Sequence, residues 1–593
     1  MEAAVASKKN CYGDLFTVSS PIFLGVATDI DIRIKKLIWD GVSDIGNADR
    51  SIGVINIYGE AGLETAISGQ QTEGTSTFTV ADPSLFAAGD YVQIKGGKTD
   101  YVCAITNISG SAITIDYALG WDNTGETLSL RQVTKPAKNV RVTVGEFVDI
   151  SQTTNPEAMV SGVSLIMAVH CSVIVGEAID TTYPVIFTSN TYLCAAKNSH
   201  LKKPRDTSAG RGYLVQWNKA HKAYNHRLTG CAGRHLIDYT RAAHCKAFGC
   251  ESSQFDNYPY SAHGAYEHDL TFTDCSNPVG KYAIALAQSG PTFGQQTKRV
   301  TFSGGVWDGD MLCDIFPTDV TFHNMELLGK NSILINPTYR LGGNGHFTML
   351  NVKMKNPLSS TVFRGTGAPG YPLTANVFID SGSITGRYVE FIGINGDVIV
   401  GDSIIGQPFS TGGLAIDRFI MNGGAMNQHG GTTLNCRKFS MQGVSTFGRA
   451  DNVRLTVNCE MFTKVGGEDL QSPSFGVSGA SKLALSGFNS FAGRTGITVN
   501  SYQLLGGANC DISLIGVGLL HRNPTAANAF DIDSVSSNRV KLRMVGCDIG
   551  GAVNLSNTTV LTHAIITNNQ LKSGVSTLPP ADATHLLNSN LFI

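Results

Sequence analysis

The sequence predicts an all-β protein: a right-handed parallel β-helix (solenoid) with a small β-domain inserted near the N-terminus. Three observations predict this fold. Glycine is abundant, at 66 of 593 residues, and charged residues make up only 16%, a composition that disfavours long helices and favours strands joined by tight turns. Many short segments alternate apolar and polar residues, as half-buried strands do. These segments return at steps of about 20–30 residues, which is the period of a solenoid.

The recurrence is clearest between His226 and Cys275. One copy ends at Cys250 and the next at Cys275, an offset of 25 residues, and an earlier copy ends at Cys231. Each copy is an alternating strand followed by a turn residue and a small residue. A single coil of short strands cannot bury its apolar side, so consecutive copies are predicted to stack and to share one core.

The chain divides into four predicted parts. Residues 1–61 form the start of the β-helix and cover its first coil. Residues 62–136 contain hairpin-like runs separated by Gly, Asp-Asn and Ser-Gly turns, which predict the small β-insert. Residues 137–575 carry the repeated strands of the β-helix, and residues 576–593 form a C-terminal tail.

The spacing of the copies also predicts which residues stack. With Leu270 as the reference, equivalent positions fall near Val300, Val320, Phe347 and Val377. The steps vary because turns tolerate insertions and strands do not. Neither the leucine-rich repeat pattern nor the glycine-rich calcium nonapeptide occurs, which leaves strand–turn–strand coils of a parallel β-helix.

Composition excludes several classes of function. The formal net charge of −2 gives no field suited to nucleic-acid phosphates. The sequence contains no apolar run long enough to span a membrane, and its first residues lack a basic region followed by an apolar core, so neither membrane insertion nor a secretory signal is expected. The thirteen cysteines show no CxxC pair, so we expect buried thiols, and neither a structural metal nor a cofactor.

A parallel β-helix with Asn and Gly turns, no signal peptide and an early β-insert resembles bacteriophage tailspikes and tail fibres of the pectate-lyase-like superfamily. The segment RHLID (residues 234–238), followed by SAHGAYEHDLTFTDC (residues 261–275), is similar to segments of such tail proteins. The resemblance covers residues 140–575. It implies a homotrimer on the virion tail, in contact with other tail proteins, that binds and often cleaves a bacterial surface polysaccharide.

The sequence departs from this family in two ways. The acidic-aliphatic helix that opens many such spikes is missing, and neither a head-binding domain nor a C-terminal chaperone-like segment is evident. The chain is therefore expected either to be held on the particle by another protein or to be a fragment.

The 25-residue offset predicts a candidate site. It places Asp238 beside His263 on neighbouring coils, about 5 Å apart. If Ile237 points inward, alternation along the strand turns Asp238 outward. The predicted catalytic residues are Asp238, His263, Glu267 and Asp269, and the predicted substrate-binding residues beside them are Arg241, His244 and Tyr266.

Two further features lie near this patch. Six of the fourteen histidines fall in or just before it: His221, His226, His235, His244, His263 and His268. Downstream, Trp307, Asp308 and Asp310 are predicted to bind substrate, while Asp314 completes an acidic trio that is also typical of turns.

The patch is compatible with two reactions. Glycoside hydrolysis needs two carboxyl groups roughly 5–9 Å apart, and Asp238 with Glu267 or Asp269 would supply them. A polysaccharide lyase instead needs a base such as His263 or Tyr266 and a cation such as Arg241. Carboxylates outnumber basic residues here, which favours endo-glycosidic hydrolysis over elimination. A non-catalytic receptor-binding fibre is the remaining alternative.

Esterase activity is not expected. The nucleophile-elbow pattern is met only loosely, by GVSGA at residues 476–480, where Ser478 would be the nucleophile and Ala480 replaces the second glycine. No strand–helix unit surrounds it.

Overall fold

The computed structural model describes residues 9–41, 50–151, 160–262, 264, 266–286, 297–313, 318–328, 332–335, 344–355, 361–365, 374–392, 394–411, 416–429, 431–448, 454–470, 475–492, 502–505, 510–521, 528–532, 540–550, 552–554, 561–571 and 585–592. Within them the chain forms 62 strands and one 3-10 turn at Pro83–Leu85. No helix in this part of the chain has the length and hydrophobicity needed to span a membrane. The chain divides into an N-terminal unit, Met1–Leu328, and a C-terminal unit, Gly329–Ile593.

The N-terminal unit begins with strands of the β-helix, continues into the insert and then returns to the β-helix. The first four strands are β1 (Cys11–Val18), β2 (Ile22–Gly25), β3 (Asp31–Trp39) and β4 (Gly53–Tyr58). The insert contains β5 (Glu60–Ala66), β6 (Thr77–Thr79), β7 (Tyr91–Gly96), β8 (Thr99–Ser109), β9 (Ala112–Ile115) and β10 (Ser129–Lys135). The coils after the insert contain β11 (Ala137–Lys138), β12 (Arg141–Asp149), β13 (Ser161–Ile166), β14 (Ala168–Val169), β15 (Ser172–Thr181), β16 (Ile186–Tyr192), β17 (Ala195–Lys197), β18 (His200–Pro204), β19 (Tyr213–His221), β20 (Tyr224–His226), β21 (Thr229–Gly230), β22 (His235–Thr240), β23 (Lys246–Phe248), β24 (Glu251–Ser253), β25 (Tyr260–Ala262), β26 (His268–Thr273), β27 (Ser276–Val279), β28 (Tyr282–Ala285), β29 (Lys298–Ser303), β30 (Val306–Asp308), β31 (Asp310–Cys313), β32 (Thr318–His323) and β33 (Glu326–Leu328).

The C-terminal unit is built from strands of similar length. They are β34 (Ser332–Ile335), β35 (Asn344–Leu350), β36 (Lys353–Lys355), β37 (Thr361–Gly365), β38 (Thr374–Asp380), β39 (Ser383–Ile392), β40 (Asp397–Val400), β41 (Ile404–Thr411), β42 (Ile416–Asn422), β43 (Ala425–Gln428), β44 (Thr432–Gln442), β45 (Ser445–Gly448), β46 (Leu455–Asn458), β47 (Met461–Val465), β48 (Glu468–Leu470), β49 (Phe475–Ser478), β50 (Lys482–Ser486), β51 (Asn489–Ala492), β52 (Tyr502–Leu505), β53 (Cys510–Ile515), β54 (Gly518–His521), β55 (Asn528–Ile532), β56 (Val540–Val545), β57 (Asp548–Ile549), β58 (Ala552–Asn554), β59 (Leu561–Thr567), β60 (Gln570–Leu571), β61 (His585–Asn588) and β62 (Leu591–Phe592).

The strands of each coil pair in parallel with those of the coils above and below, which confirms the parallel β-helix. Leu270 pairs with Val300 and Val300 with Val320 in the N-terminal unit, and Phe347 pairs with Val377 in the C-terminal unit. These are the stacked positions that the spacing predicts. Their side chains are buried, and the residues between them are partly exposed, because alternate side chains of a strand face the core.

The C-terminal end of the ladder lies beyond the predicted boundary at residue 575. Strand β61 pairs in parallel with β59, and β62 pairs with β60. The segment from 576 to 593, expected to be a tail, therefore contributes two strands to the same ladder.

A repeated bend places one column of side chains on the N-terminal unit. His244, Asp269 and Arg299 follow one another on consecutive coils and have φ values of 55°, 57° and 52°. A single residue in this left-handed region turns the chain sharply, and Asn, Asp and His tolerate it better than most residues do. Ala243, next to the bend, pairs with His221 on one side and His268 on the other.

The insert is a six-stranded antiparallel sheet in the order β5-β10-β7-β8-β9-β6. Its apolar core includes Ala243 of the β-helix. A second cluster joins Val102 and Val133 of the insert to Val169 and Tyr192 of the coils. The insert therefore packs directly on the column of left-handed bends.

The cysteines that the structure describes are free thiols. Most of them are buried; Cys231 is exposed and Cys11 is intermediate. Cys250 and Cys275, which end two consecutive copies of the repeat, are both buried, and a hydrogen bond to Cys275 helps to lower the pKa of Cys250 against the larger, opposing effect of burial. This is the stacking of buried thiols that the sequence predicts.

One coil of the C-terminal unit buries an ion pair. Lys464 and Asp469 are both fully buried, and the Lys464 ammonium donates to Asp469 Oδ1. The Thr446 hydroxyl donates to the same oxygen, and the Tyr502 hydroxyl donates to Oδ2 at 2.7 Å. The carboxylate is thus satisfied by three donors in an apolar core.

Candidate functional site

Asp238 does not face outward into solvent, so this part of the prediction is wrong. It lies in β22, where every residue from His235 to Tyr239 is buried, and its own exposure is 0%. The strand register places it between Gln216 and Ser261. Gln216 Nε2 donates to Asp238 Oδ2 at 3.0 Å.

The offset used to align Asp238 is also corrected by the structure. Tyr239 pairs with Ala262, a step of 23 residues, whereas Ala243 pairs with His268, a step of 25. The two additional residues lie between β25 and β26. His263 falls in this interval, outside the described residues, so its proximity to Asp238 stays a prediction.

Arg241 and Tyr266 do lie together, as the offset of 25 predicts. The Arg241 guanidinium lies over the Tyr266 ring at 6.0 Å. On the other side, Trp121 of the insert contacts Tyr266 with ring centroids 5.8 Å apart, and its Nε1 donates to the Tyr266 carbonyl at 3.0 Å. The insert therefore covers one side of Tyr266.

Glu267 is buried under this pair, with an exposure of 1%. Its Oε1 accepts a hydrogen bond of 2.6 Å from the backbone N–H of Arg241, whose φ is 55°. A buried carboxylate that holds a strained backbone has a structural effect. This geometry gives Glu267 a supporting position rather than the catalytic one expected.

Asp269 is held by partners on both oxygens. Arg299 donates to Oδ1 from Nε at 2.7 Å and to Oδ2 from Nη2 at 2.8 Å. His268 Nδ1 donates to Oδ2 at 2.6 Å, and the Tyr117 hydroxyl of the insert lies 3.0 Å from His268 Nε2. Because the carboxylate fixes the proton on Nδ1, Tyr117 donates to Nε2.

The electrostatics of this network oppose a general-acid role for Asp269. Burial by itself would raise the pKa of Asp269, but hydrogen bonds from Arg299 and His268 bring it well below its usual range. A carboxylate that stays ionised cannot donate a proton to a leaving group, so Asp269 is not a general acid. Both of its oxygens already accept hydrogen bonds in the contact between the coil and the insert, and any other catalytic role of Asp269 stays a prediction.

His244 is neutral at pH 7 in this setting. Burial, reinforced by the nearby His268, lowers the pKa of His244 to about 4, although Asp269 opposes the shift. Its ring lies 5.3 Å from that of His268, 5.5 Å from that of His221 and 6.0 Å from that of Tyr117. His244 thus belongs to the packed aromatic contact between insert and β-helix.

Charged residues extend this contact. Glu73 of the insert accepts from Lys298 at 2.6 Å and from Arg299 at 2.8 Å. The Lys298 ammonium lies 4.2 Å from the centre of the Trp121 ring. Tyr117, Trp121 and Glu73 were missed by the sequence analysis, because nothing in their spacing shows which coil the insert covers.

Acid should weaken this contact. Burial lowers the pKa of His221 to about 3 and that of His244 to about 4, both below the ordinary 6.5. The unfolded chain therefore binds protons more readily between pH 6.5 and 4, and the stabilisation present above pH 6.5 is lost as the pH falls through that window. We expect thermal unfolding to show a loss of roughly 1–3 kcal/mol at pH 4 relative to pH 7.

The matched variants for this pH experiment are His244→Asn and His226→Asn, because His226 is exposed. The surrounding charges that act on the two buried histidines are Asp116, Lys222, Asp269 and Arg299. His244→Asn should flatten the pH dependence, and His226→Asn should leave it as in the wild type. A slope unchanged by His244→Asn would show that the loss arises elsewhere.

Trp307 lies in the core, so the prediction that it binds substrate is wrong. Its exposure is 1%, and its ring packs against Tyr260 at 5.0 Å and Phe302 at 5.7 Å. Its Nε1 donates to the Gly304 carbonyl at 3.1 Å.

The acidic residues after Trp307 are only partly described. Asp308 accepts from the Gly309 N–H at 3.0 Å, which is turn chemistry. The side chain of Asp310 and the whole of Asp314 lie outside the described residues, so Asp310 stays a predicted substrate-binding residue.

The structure adds a cavity that the sequence analysis did not find. It has a volume of about 360 Å³ and is lined by three arginines, two tyrosines and a small segment before β19: Arg50, Tyr183, Ala209, Gly210, Arg211, Tyr213 and Arg234. We call it the arginine pocket. Arg234 is the first residue of the RHLID segment. That segment is the one feature singled out in the sequence that contributes a residue to the arginine pocket.

The arginine pocket is connected to Asp238. Arg50 Nη1 donates to Gln216 Oε1 at 3.4 Å, and Gln216 in turn donates to Asp238. Burial and the negative charge of Asp238 raise the pKa of Tyr213 to about 12, despite the opposing effect of Arg234 and Arg50. Asp238 therefore lies beneath the pocket and acts on two of its lining residues.

Tyr213 is fixed by its neighbours. Its ring lies 4.6 Å from that of His235, and its hydroxyl accepts from the Gly210 N–H at 3.2 Å. His235 Nδ1 in turn lies 2.5 Å from the Tyr258 carbonyl, to which it donates. A tyrosine at neutral pH with this pKa keeps its proton and can donate it to a ligand.

Among the described residues of the N-terminal unit, two clusters have donor atoms within 4.8 Å of one another, as a metal site requires: His244, His268 and Asp269, and Cys103, Asp116 and His221. In each cluster the carboxylate is already paired with a cation, Arg299 or Lys222. A bound cation would have to compete with that charge.

Comparison with known proteins gives similar folds and no family. No protein-family model and no curated protein matches the chain. Among solved structures, the tailspike gp49 of Pseudomonas phage LKA1 is 14% identical, with 86% of this chain and 75% of that chain covered and a TM-score of 0.34. The Gp54 tailspike of Acinetobacter baumannii bacteriophage AP22, in complex with A. baumannii capsular saccharide, is 9% identical, with coverages of 92% and 73% and a TM-score of 0.39. The Pseudomonas phage phi297 tailspike gp61 is 13% identical, with coverages of 91% and 76% and a TM-score of 0.35. The solved structures to which the chain is similar thus include phage tailspikes, at identities too low to carry over the role of any residue.

Proposed function

We propose that this protein is a phage tailspike that binds and depolymerises a bacterial surface polysaccharide: a capsule, an O-antigen or an exopolysaccharide. The observation that carries the proposal is the arginine pocket on the stacked coils. Its volume of about 360 Å³ lies in the range of ligand sites. Tyrosine rings supply flat apolar faces with a polar end, and arginines supply fixed hydrogen-bond donors. Sugar rings need this combination of faces and donors.

Two reactions would shorten the polymer. Hydrolysis adds water across the glycosidic bond and is the reaction favoured by the sequence. Hydrolysis needs two carboxyl groups, and the described lining of the pocket contains none. Asp238 lies beneath the pocket but is fully buried.

Elimination is therefore the second candidate, favoured by the arginines and tyrosines of the lining. A general base, for which the sequence offers His263 or Tyr266, takes the proton beside a uronate carboxylate; the 4-linked oxygen then leaves with its bonding electrons, and a carbon–carbon double bond remains. Arginine would stabilise the charge that develops on the carboxylate, and tyrosine would donate a proton to the leaving oxygen.

A panel of purified capsular and O-antigen polysaccharides tests the proposal. After incubation with the full chain, size-exclusion chromatography should show a shortened polymer. Reducing ends without new ultraviolet absorbance would indicate hydrolysis, and new absorbance would indicate an unsaturated uronate and hence elimination. Binding without any change in length would contradict cleavage and favour the non-catalytic fibre.

We also propose that the chain acts as a homotrimer on the virion tail. Exposed parallel strands repeat along each chain and offer matching surfaces around a threefold axis. Light scattering should then give three times the chain mass of 63.0 kDa. The mass of a single chain would contradict this assembly.

A further inference from the structure

We propose that the arginine pocket binds a carboxylated sugar, so that the polysaccharide recognised is acidic. This inference rests on the proposed function and names its substrate class. The pocket brings together three guanidinium groups, Arg50, Arg211 and Arg234, on a chain whose formal net charge is −2. A local cluster of one sign on such a chain concentrates ligands of the opposite sign.

The existing partners of these arginines leave positive charge for a ligand. Arg211 is paired with Asp206. Arg50 contacts the neutral amide of Gln216, and Arg234 donates to the Thr207 carbonyl at 3.2 Å. Among the described residues, neither Arg50 nor Arg234 forms an ion pair with a carboxylate. Asp238 is linked to Arg50 through Gln216, which accepts from Arg50 and donates to Asp238.

Arg234 also has a donor that the described part of the chain leaves without an acceptor. Its Nε is buried and has no hydrogen-bond partner there. A buried donor without a partner is destabilising, and a bound acceptor would remove that penalty. A carboxylate fits the planar fork of a guanidinium with two parallel hydrogen bonds.

The tyrosines define how the rest of the sugar is held. Tyr183 and Tyr213 are largely buried, with exposures of 6% and 2%, and they form part of the pocket wall. The small exposed parts of these side chains can contact a pyranose while the arginines hold its carboxylate. The cavity volume of about 360 Å³ suits a few sugar units of the polysaccharide rather than a long segment of it.

The experiment compares a polymer with its own carboxyl-reduced form. Each polysaccharide that the wild type shortens is reduced at its carboxyl groups, and the initial rates of cleavage are compared. Loss of the charge-assisted hydrogen bonds should lower the rate by about tenfold or more. Equal rates on both forms would overturn the inference and leave the depolymerase function standing, whereas cleavage of no polymer at all would overturn the function itself.

Direct binding tests the pocket independently of cleavage. By ligand-observed nuclear magnetic resonance, D-glucuronate should bind the wild type and D-glucose should not. Binding of D-glucose 6-phosphate in place of glucuronate would overturn the carboxylate assignment in favour of a phosphorylated sugar.

Three variants locate the binding. Arg234→Gln and, separately, Arg50→Gln should each weaken glucuronate binding by about tenfold. Two variants are used because Arg234 also bonds the Thr207 carbonyl, so Arg234→Gln can perturb the local fold. Arg227→Gln is the matched control, since Arg227 is an exposed arginine of the same region that does not line the pocket. Equal binding by all three variants and the wild type would place the anion site elsewhere.

Discussion

Asp238→Asn is expected to lower the rate of polysaccharide cleavage by about a hundredfold. A loss of this size follows when the side chains that hold the substrate are displaced by about 1 Å. Asp238 is fully buried and does not reach the cavity, so its effect passes through Gln216 to Arg50 and through its charge to Tyr213. We therefore treat it as a positioning residue and not as the exposed catalytic acid expected from the sequence.

The readout should separate positioning from simple loss of structure. Asparagine keeps the size of the side chain, so the melting temperature of Asp238→Asn should change little. Asp238→Ala, by contrast, should destabilise the coil by leaving the Gln216 amide unsatisfied.

The loss of activity in Asp238→Asn should appear mainly in kcat. The alkaline limb of its pH–rate profile should shift to lower pH, because the charge of Asp238 is one cause of the raised pKa of Tyr213. Asp274→Asn, at an exposed bend, is the control and should behave as the wild type. Wild-type turnover by Asp238→Asn would remove Asp238 from the site.

The largest effect on stability is expected from Lys464→Met in the C-terminal unit. It leaves the fully buried carboxyl group of Asp469 without its cation, and its remaining described donors are the hydroxyls of Thr446 and Tyr502. Breaking a buried ion pair by removing one partner typically costs about 3–5 kcal/mol. Urea denaturation followed by circular dichroism should show this as a lower midpoint for the transition.

The double variant Lys464→Met/Asp469→Asn tests the cause of that loss. Because it removes both charges, it should be more stable than Lys464→Met alone. Lys482→Met, at an exposed position on β50 of the same unit, is the control and should stay within about 0.5 kcal/mol of the wild type. A double variant no more stable than Lys464→Met would contradict an electrostatic origin.

The stacking of the strands could be predicted from the sequence. The step from Leu270 to Val300 and Val320 is set by alternating buried side chains, and a slip of one residue would turn all of them to the wrong face. The bends between strands are less constrained, and there the prediction fails. Two extra residues between β25 and β26 change the step from 23 to 25, so that one offset is right for His244 and Asp269 but wrong for Asp238.

Burial of the outward face could not be predicted. Alternation indicates which side chains leave the core of the coil, but not what lies above them. Here the insert covers His244, His268 and Asp269 through Tyr117, and the strand around Asp238 is buried on both faces. The crowding of histidines in the sequence thus reflects, for His221, His244 and His268, a packed contact with the insert.

The arginine pocket escaped prediction for a different reason. Arg50 and Arg234 are more than 180 residues apart in the chain, and no repeat offset relates them. Arg50 lies just before β4 and Arg234 just before β22. The two residues come to the same end of a stack of strands because β4, β13, β16, β19 and β22 pair in parallel in that order.

The structure of the full chain with an oligosaccharide released from a cleaved polymer tests the central claim most directly. We predict a sugar carboxylate within hydrogen-bond distance of Arg234 or Arg50, with a sugar ring against Tyr213. An oligosaccharide bound at any other place, with the arginine pocket empty, would contradict the account.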